Sequence, residues 1–241
     1  MKSITRRQHV YLVRHGQSIW NHDSKFTGWT DIPLTEKGKY EANVISKKLI
    51  EKNIFPNIFF SSVLKRSFDS ASIIKNDFEK QLNRNDLKLY TTWRLNEKHY
   101  GTLEGIPRNF IRDQYGKKFT HMMRNNFYMK PPVLKELVKE KQHNYSIYRN
   151  CYYKTKENGE SKQDVLERLL PYYENDILYT LTIPKIPLIV THKHCTRVLM
   201  KTLLNIKDDE FENFSIPSKT IIELEYEDEK FIKHRYIKYS L

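Results

Sequence analysis

The stretch Val10-Tyr11-Leu12-Val13-Arg14-His15-Gly16 decides how the rest of the chain reads. An apolar run with no polar residue inside it is what a strand buried on both faces requires, and such strands belong to parallel sheets covered by helices. The run stops on the charged turn Arg14-His15-Gly16, and outward from it the same unit recurs. Thr35 reads as the cap of a helix in which Ala42, Ile45 and Leu49 recur at helical spacing up to Lys52. Ile58-Phe59-Phe60 is a second strand, ending in Ser61-Ser62 and followed by a helix carrying Lys65, Arg66, Ala71 and Ile74. Leu87 to Thr91 reads as a third strand. Ser161 to Leu178 reads as a helix whose stripe Val165, Leu166, Leu169, Leu170 and Tyr173 is core. Pro187-Leu188-Ile189-Val190 is another buried strand, ending at Thr191-His192, and a helix runs through Val198 to Leu204. Thr220 to Tyr226 and Phe231 to Tyr236 form a hairpin about Asp228 and Glu229 at the sheet edge. The expected fold is α/β, a doubly wound, mostly parallel sheet flanked by helices, in a single domain over residues 1–241. Residues 107–159 are polar, aromatic and basic, with weak helical patterns at Phe110 to Tyr115 and Phe119 to Asn126. They are expected as a helical and loop insertion over the active-site edge.

The 241 residues can bury a sizeable core without disulfide staples. Lys and Arg number 42 against 29 Asp and Glu, a net charge of +13, which admits anionic ligands. The excess is spread along the chain, without the basic block of a nucleic-acid arm, and segments such as Lys47-Lys48 and Lys135 to Lys141 read as solvated helix faces. Cys151 and Cys195 stand in no metal or redox spacing and are expected as free thiols; no metal is expected. No apolar stretch approaches the roughly 20 residues of a membrane span. With no signal-like N-terminus, the expected location is cytoplasmic. Glycine-rich dinucleotide and P-loop fingerprints, the GxSxG elbow and the HExxH helix are missing.

Two histidines occupy equivalent places, His15 and His192 each following directly on a strand's C-terminal end. In open α/β sheets that edge is where ligands bind. Neutral imidazole is a good phosphoryl acceptor, and guanidinium forks answer the charge on phosphoryl oxygens with parallel hydrogen bonds. Arg14 and Arg66, each just past a strand end, are placed for that. Glu97, in the polar run Trp93 to Gly101, is the candidate acid/base, with His99 the weaker one.

The stretch Leu12 to Asn21, followed by Phe26-Thr27-Gly28-Trp29-Thr30-Asp31 and Leu34-Thr35-Glu36-Lys37-Gly38, resembles the histidine phosphatase superfamily. Within it, the resemblance is to the cofactor-dependent phosphoglycerate and bisphosphoglycerate mutases. Further matches are Ser62 to Arg66, Thr92 to Glu97 through Gly101, Glu160-Ser161 with Asp164 to Pro171, and Thr191-His192, spanning about Val10 to Tyr236. The resemblance implies interconversion of 3- and 2-phosphoglycerate through a phosphohistidine at His15, primed by 2,3-bisphosphoglycerate. It implies that Arg14, Arg66 and His192 hold the phosphoryl group and that Glu97 is the acid/base. Asn21, Ser18, Thr27, Gly28, Tyr100, Arg108 and Arg124 are implied in the substrate pocket, Arg108 standing where the family usually has Lys. Relatives are often dimers or tetramers, so a homo-oligomer is expected.

The chain departs from the family's pattern at several places. Lys193 replaces a Gly and His194 an Asn; the Lys193 ammonium either adds a phosphate contact or crowds the site. Asn125 replaces the second of a paired Arg, a loss of roughly 1.5–3 kcal/mol at a buried site. Gln17 replaces a Glu, and the sequence runs to Leu241 without the closing tail of many relatives, which leads one to expect leakage to water. Two rivals to the mutase reading follow: a histidine phosphatase acting on a small phosphoester or bisphosphoglycerate, and a degenerate member that only binds.

Overall fold

A computed structural model describes residues 7–134 and 159–241 of the protein. The elements are β1 (Arg7–Arg14), α1 (Ile19–His22), α2 (Glu36–Glu51), β2 (Ile58–Ser61), α3 (Lys65–Gln81), β3 (Lys88–Thr91) and α4 (Arg108–Asn125). They continue with α5 (Lys162–Tyr172), β4 (Pro187–Thr191), α6 (Lys193–Leu203), α7 (Asp208–Phe211), β5 (Thr220–Glu227) and β6 (Lys230–Lys238). The sheet order is β3-β2-β4-β1-β5-β6. Pairs β2–β3, β2–β4 and β1–β4 are parallel, while β1–β5 and β5–β6 are antiparallel.

The unbroken apolar strands are explained by two cores. Successive side chains of a strand leave opposite faces. Val10 and Leu12 therefore enter one core with Val165, Leu169, Val198 and Ile222, while Tyr11 and Val13 enter the other with Ala42, Ile45, Leu49 and Ile74. The doubly wound expectation holds. Thr35 caps α2 as expected, its Oγ1 accepting the Gly38 N–H at 3.0 Å. The β5–β6 turn is Asp228-Glu229, with φ of 48° and 63°, the primed geometry that fits strand twist.

Two boundaries differ from expectation. The helix expected to Leu178 is regular only to Tyr172, then widens into a π turn at Tyr173–Ile177 and tightens at Leu178–Thr182. Pro171 lacks an N–H and removes a rung of the ladder just before the change. The two weak helical patterns of the insertion are arms of α4, bent at Gly116 with φ 84° and ψ 160°. Residues 135–158, with the Lys135 to Lys141 face and Cys151, lie outside the described residues. Cys195 is a free, buried thiol. Among the described residues no helix is long and apolar enough to cross a membrane.

Candidate active site

Register brings the two histidines together. Arg14 of β1 pairs with Thr191 of β4, so the residues that follow, His15 and His192, emerge side by side at one sheet edge. The His15 N–H donates to the Thr191 carbonyl at 3.0 Å, and the two rings lie edge to face with centroids 4.8 Å apart. Ser61 of β2 pairs with Val190, which delivers Ser62 to the same edge, its Oγ 2.7 Å from His192 Nε2. Gly16 lets the turn pass against the start of α2: a Cβ there would strike the Gly38 carbonyl oxygen.

His15 Nδ1 lies 2.6 Å from the Gly16 carbonyl oxygen. A carbonyl only accepts, so Nδ1 carries the proton and Nε2 keeps its lone pair. Burial first, then the charges of Arg14 and Arg66, hold His15 well below the ordinary histidine value. It is a neutral imidazole beside two cations.

Arg66, expected just past β2, is almost fully buried. Its Nη1 donates to the Thr30 carbonyl at 3.0 Å and its Nη2 to the Gly28 carbonyl at 2.6 Å. Glu104 holds that loop from the other side, accepting N–H bonds from Trp29 and Thr30 at 2.9 Å and from Tyr100 at 3.0 Å. Gly28, at φ 55°, leaves room for the carboxylate that a Cβ would strike.

The Glu97 Oε1 accepts the Lys98 N–H at 2.8 Å and the His194 N–H, in the first turn of α6, at 3.2 Å. The Lys98 side chain does not pair with Glu97; its Nζ donates to the Met123 carbonyl at 3.0 Å. Tyr100 Oη lies 2.8 Å from His194 Nε2, and burial raises Tyr100 to about 12, so it stays a phenol.

These groups border a cleft of about 590 Å³. Arg14, His15, Asn21, Thr27, Gly28, Arg66, Glu97, Tyr100, Arg108, Arg124 and Lys193 all line it, with Lys25, Phe26 and His194, which sequence reasoning did not assign to the pocket. His192 is fully buried beside His15 and is not in the lining. Ser18 is not in the lining: its Oγ accepts the Asn21 N–H at 3.3 Å and caps α1, which carries Asn21. His99 lies outside it too, its Nδ1 accepting the Gly101 N–H at 2.8 Å. Asn125 accepts a bond from Arg197 Nη1 at 3.0 Å, and Gln17 is held by Thr35, so neither departure opens onto the cleft. Thr27 Oγ1, Arg124 Nε, His192 Nδ1 and His194 Nδ1 are buried with no hydrogen-bond partner among the described residues. Unsatisfied groups of that kind are expensive unless a ligand answers them. No group of three or more metal-ligating side chains occurs among the described residues.

Burial also lowers His192 and His194 well below the ordinary value. In the unfolded chain all three rings bind protons near pH 6.5, whereas the folded state takes them up only at lower pH. Below about pH 6.5 the unfolded state therefore holds more protons and stability falls as pH falls, by up to about 1.4 kcal/mol per pH unit for each ring. Lys162, brought down to about 5 by burial, acts in the same direction. Urea midpoints are expected to drop steeply from pH 7 to pH 5.5; a level midpoint would contradict the neutral histidines.

A family profile described as histidine phosphatase superfamily (branch 1) matches residues 10–142 and 133–238. The 2,3-bisphosphoglycerate-dependent phosphoglycerate mutase of Haemophilus influenzae (strain PittGG) is 35% identical over 229 residues, 95% of this chain and 99% of that protein. The protein of the same name from Bifidobacterium longum (strain DJO10A) is 37% identical over 223 residues, 92% and 87% of the two chains. YhfR of Bacillus stearothermophilus has the same fold, with a TM-score of 0.67 at 24% identity over 93% of this chain and 94% of that one. So does mycobacterial glucosyl-3-phosphoglycerate phosphatase, at 0.65 and 20% identity over 92% and 97%. With both histidines, the arginines and Glu97 gathered at one sheet edge, the chain belongs to the histidine phosphatase superfamily, branch 1.

Proposed function

We propose that the protein is a phosphoglycerate mutase that interconverts 3- and 2-phosphoglycerate through a phosphoryl group carried on His15 Nε2. The observation that carries this reading is the charge of the cleft. Among the described residues, six cationic side chains, Arg14, Lys25, Arg66, Arg108, Arg124 and Lys193, line it against one carboxylate, that of Glu97. That excess suits a small molecule bearing a carboxylate as well as phosphate. The unpartnered Thr27 hydroxyl and Arg124 Nε offer further donors, and the same set fits 2,3-bisphosphoglycerate. When bound, that molecule supplies the phosphoryl group that charges His15.

The rest belongs to the chain. Arg14 and Arg66 balance the equatorial oxygens as the phosphoryl group leaves Nε2 for the free hydroxyl of the substrate, the P–N bond breaking as the P–O bond forms. Glu97 takes the hydroxyl proton and returns it when the phosphoryl group on the neighbouring oxygen passes back to His15. Tyr100, Arg108 and Arg124 hold the remaining charges. All of these residues come from one chain, so the expected homo-oligomer is not needed to complete the cleft.

The test follows 2-phosphoglycerate formation from 3-phosphoglycerate with and without 2,3-bisphosphoglycerate, reading phosphate release in the same tube. Cofactor-stimulated isomerisation exceeding phosphate release is the expected result. Phosphate alone would replace the mutase with a phosphatase, and neither product would leave a binding protein.

A further inference from the structure

A second cleft, of about 800 Å³, meets the first at Arg14, His15 and Lys193. Its lining mixes apolar Leu12, Ile216 and Ile222 with polar Glu41, Lys219 and Tyr239. Lys193 is the first residue of α6, directly after His192, and stands in the wall that the two clefts share. Lys193 is solvent-exposed in that wall.

Its electrostatic surroundings are one-sided. Arg14 reaches it from β1, Arg124 from α4 and Arg197 from α6 itself, all repelling; Glu97 is the carboxylate that attracts it. On the second cleft's side stand Glu41 of α2, Lys219 and Tyr239. No ion pair or hydrogen bond of the Lys193 ammonium occurs among the described residues. An ammonium held among like charges without a partner costs free energy that a bound anion removes. The guanidiniums around it stay charged at any working pH. Loss of hydration in the cleft wall, followed by those like charges, lowers Lys193 to about 8.

We propose that Lys193 is a phosphate-binding residue, its ammonium bonding an oxygen of the phosphoryl group at His15 from the wall shared by the two clefts. This rests on the reading that His15 receives phosphoryl groups, and not on which acceptor they pass to. Among the cations placed at the phosphoryl group, Lys193 is then one whose charge changes above neutral pH, whereas Arg14 and Arg66 stay cationic.

The test uses inorganic phosphate as the probe and the full chain, with binding followed by calorimetry for the parent, Lys193→Met and Lys193→Arg at pH 7 and pH 9. Comparison among variants at each pH cancels the ionisation of phosphate itself. At pH 7 the methionine variant is expected to bind about tenfold more weakly than the parent, the scale of one charge-assisted bond. At pH 9 that gap narrows, because the parent has lost most of its ammonium. The arginine variant binds like the parent at pH 7 and more tightly at pH 9. Equal or tighter binding by Lys193→Met at pH 7 makes the side chain an obstruction and overturns the proposal, as does a gap that persists unchanged at pH 9. A failed mutase assay leaves these outcomes readable, since phosphate binding needs no turnover.

Discussion

Replacing His15 with alanine is expected to reduce turnover by roughly 10⁴-fold or more, the scale on which loss of a covalent nucleophile is felt. His192 cannot take over. Its Nε2 is engaged by Ser62 Oγ at 2.7 Å, and its ring lies beside that of His15, edge to face at 4.8 Å. The fold should tolerate the change, because among the described residues the His15 side chain makes one hydrogen bond, to the Gly16 carbonyl. The variant should also be less sensitive to acid, having lost one of three rings that resist protonation in the folded state. Three measurements check this: steady-state turnover, acid-labile phosphate on the protein after incubation with 2,3-bisphosphoglycerate, and urea midpoints across pH. Residual phosphoenzyme in the variant would move the nucleophile elsewhere.

Arg168→Met is expected to destabilise the protein by about 3–5 kcal/mol, the cost of leaving a buried charge without its partner. Arg168 and Glu160 are both buried, with Nε to Oε1 at 2.7 Å and Nη2 to Oε2 at 3.0 Å. The same guanidinium donates to the Arg94 carbonyl at 2.6 Å, the Asn96 carbonyl at 2.8 Å and the Glu97 carbonyl at 3.0 Å. Glu160 in turn accepts the His99 N–H at 2.8 Å. The pair is therefore a clamp on the loop that presents Glu97. Methionine keeps much of the volume and none of the donors, so the melting temperature should fall by about 10 °C for a chain of this size. At a temperature where the variant is still folded, kcat should fall between about tenfold and a hundredfold, since Glu97 is no longer held in place. Arg168→Lys should recover little, because an ammonium cannot span carbonyls and carboxylate as the planar fork does. A melt within about 2 °C of the parent would show that the loop holds without the clamp.

Much of this architecture was legible in the residues. Val10 to Val13 and Pro187 to Val190 are too continuously apolar to be anything but strands covered on both sides, and the histidines that follow them had to emerge at a strand end. Thr35 before its helix and the two arms of α4 were equally readable, since caps and periodicity are local. The pocket was legible through the resemblance, apart from Lys25, Phe26 and His194. Ser18, implied in the pocket, instead forms the cap that orients Asn21.

What escaped sequence reasoning was the fate of charged side chains. Nothing local in the sequence marks Arg168, Lys98 and Lys162 as buried, yet each is, giving its donors to carbonyls from remote segments. Glu104 likewise gathers N–H groups from two loops that meet only in the folded molecule. Element order, strand-end histidines and the candidate carboxylate were determined by the sequence itself, because apolar run length, helical period and turn chemistry act over neighbouring residues. That Lys25 joins the cations of the cleft, and which basic side chains instead hold loops together, was decided by the tertiary structure, because a desolvated polar group must take the partners that packing brings within hydrogen-bond reach.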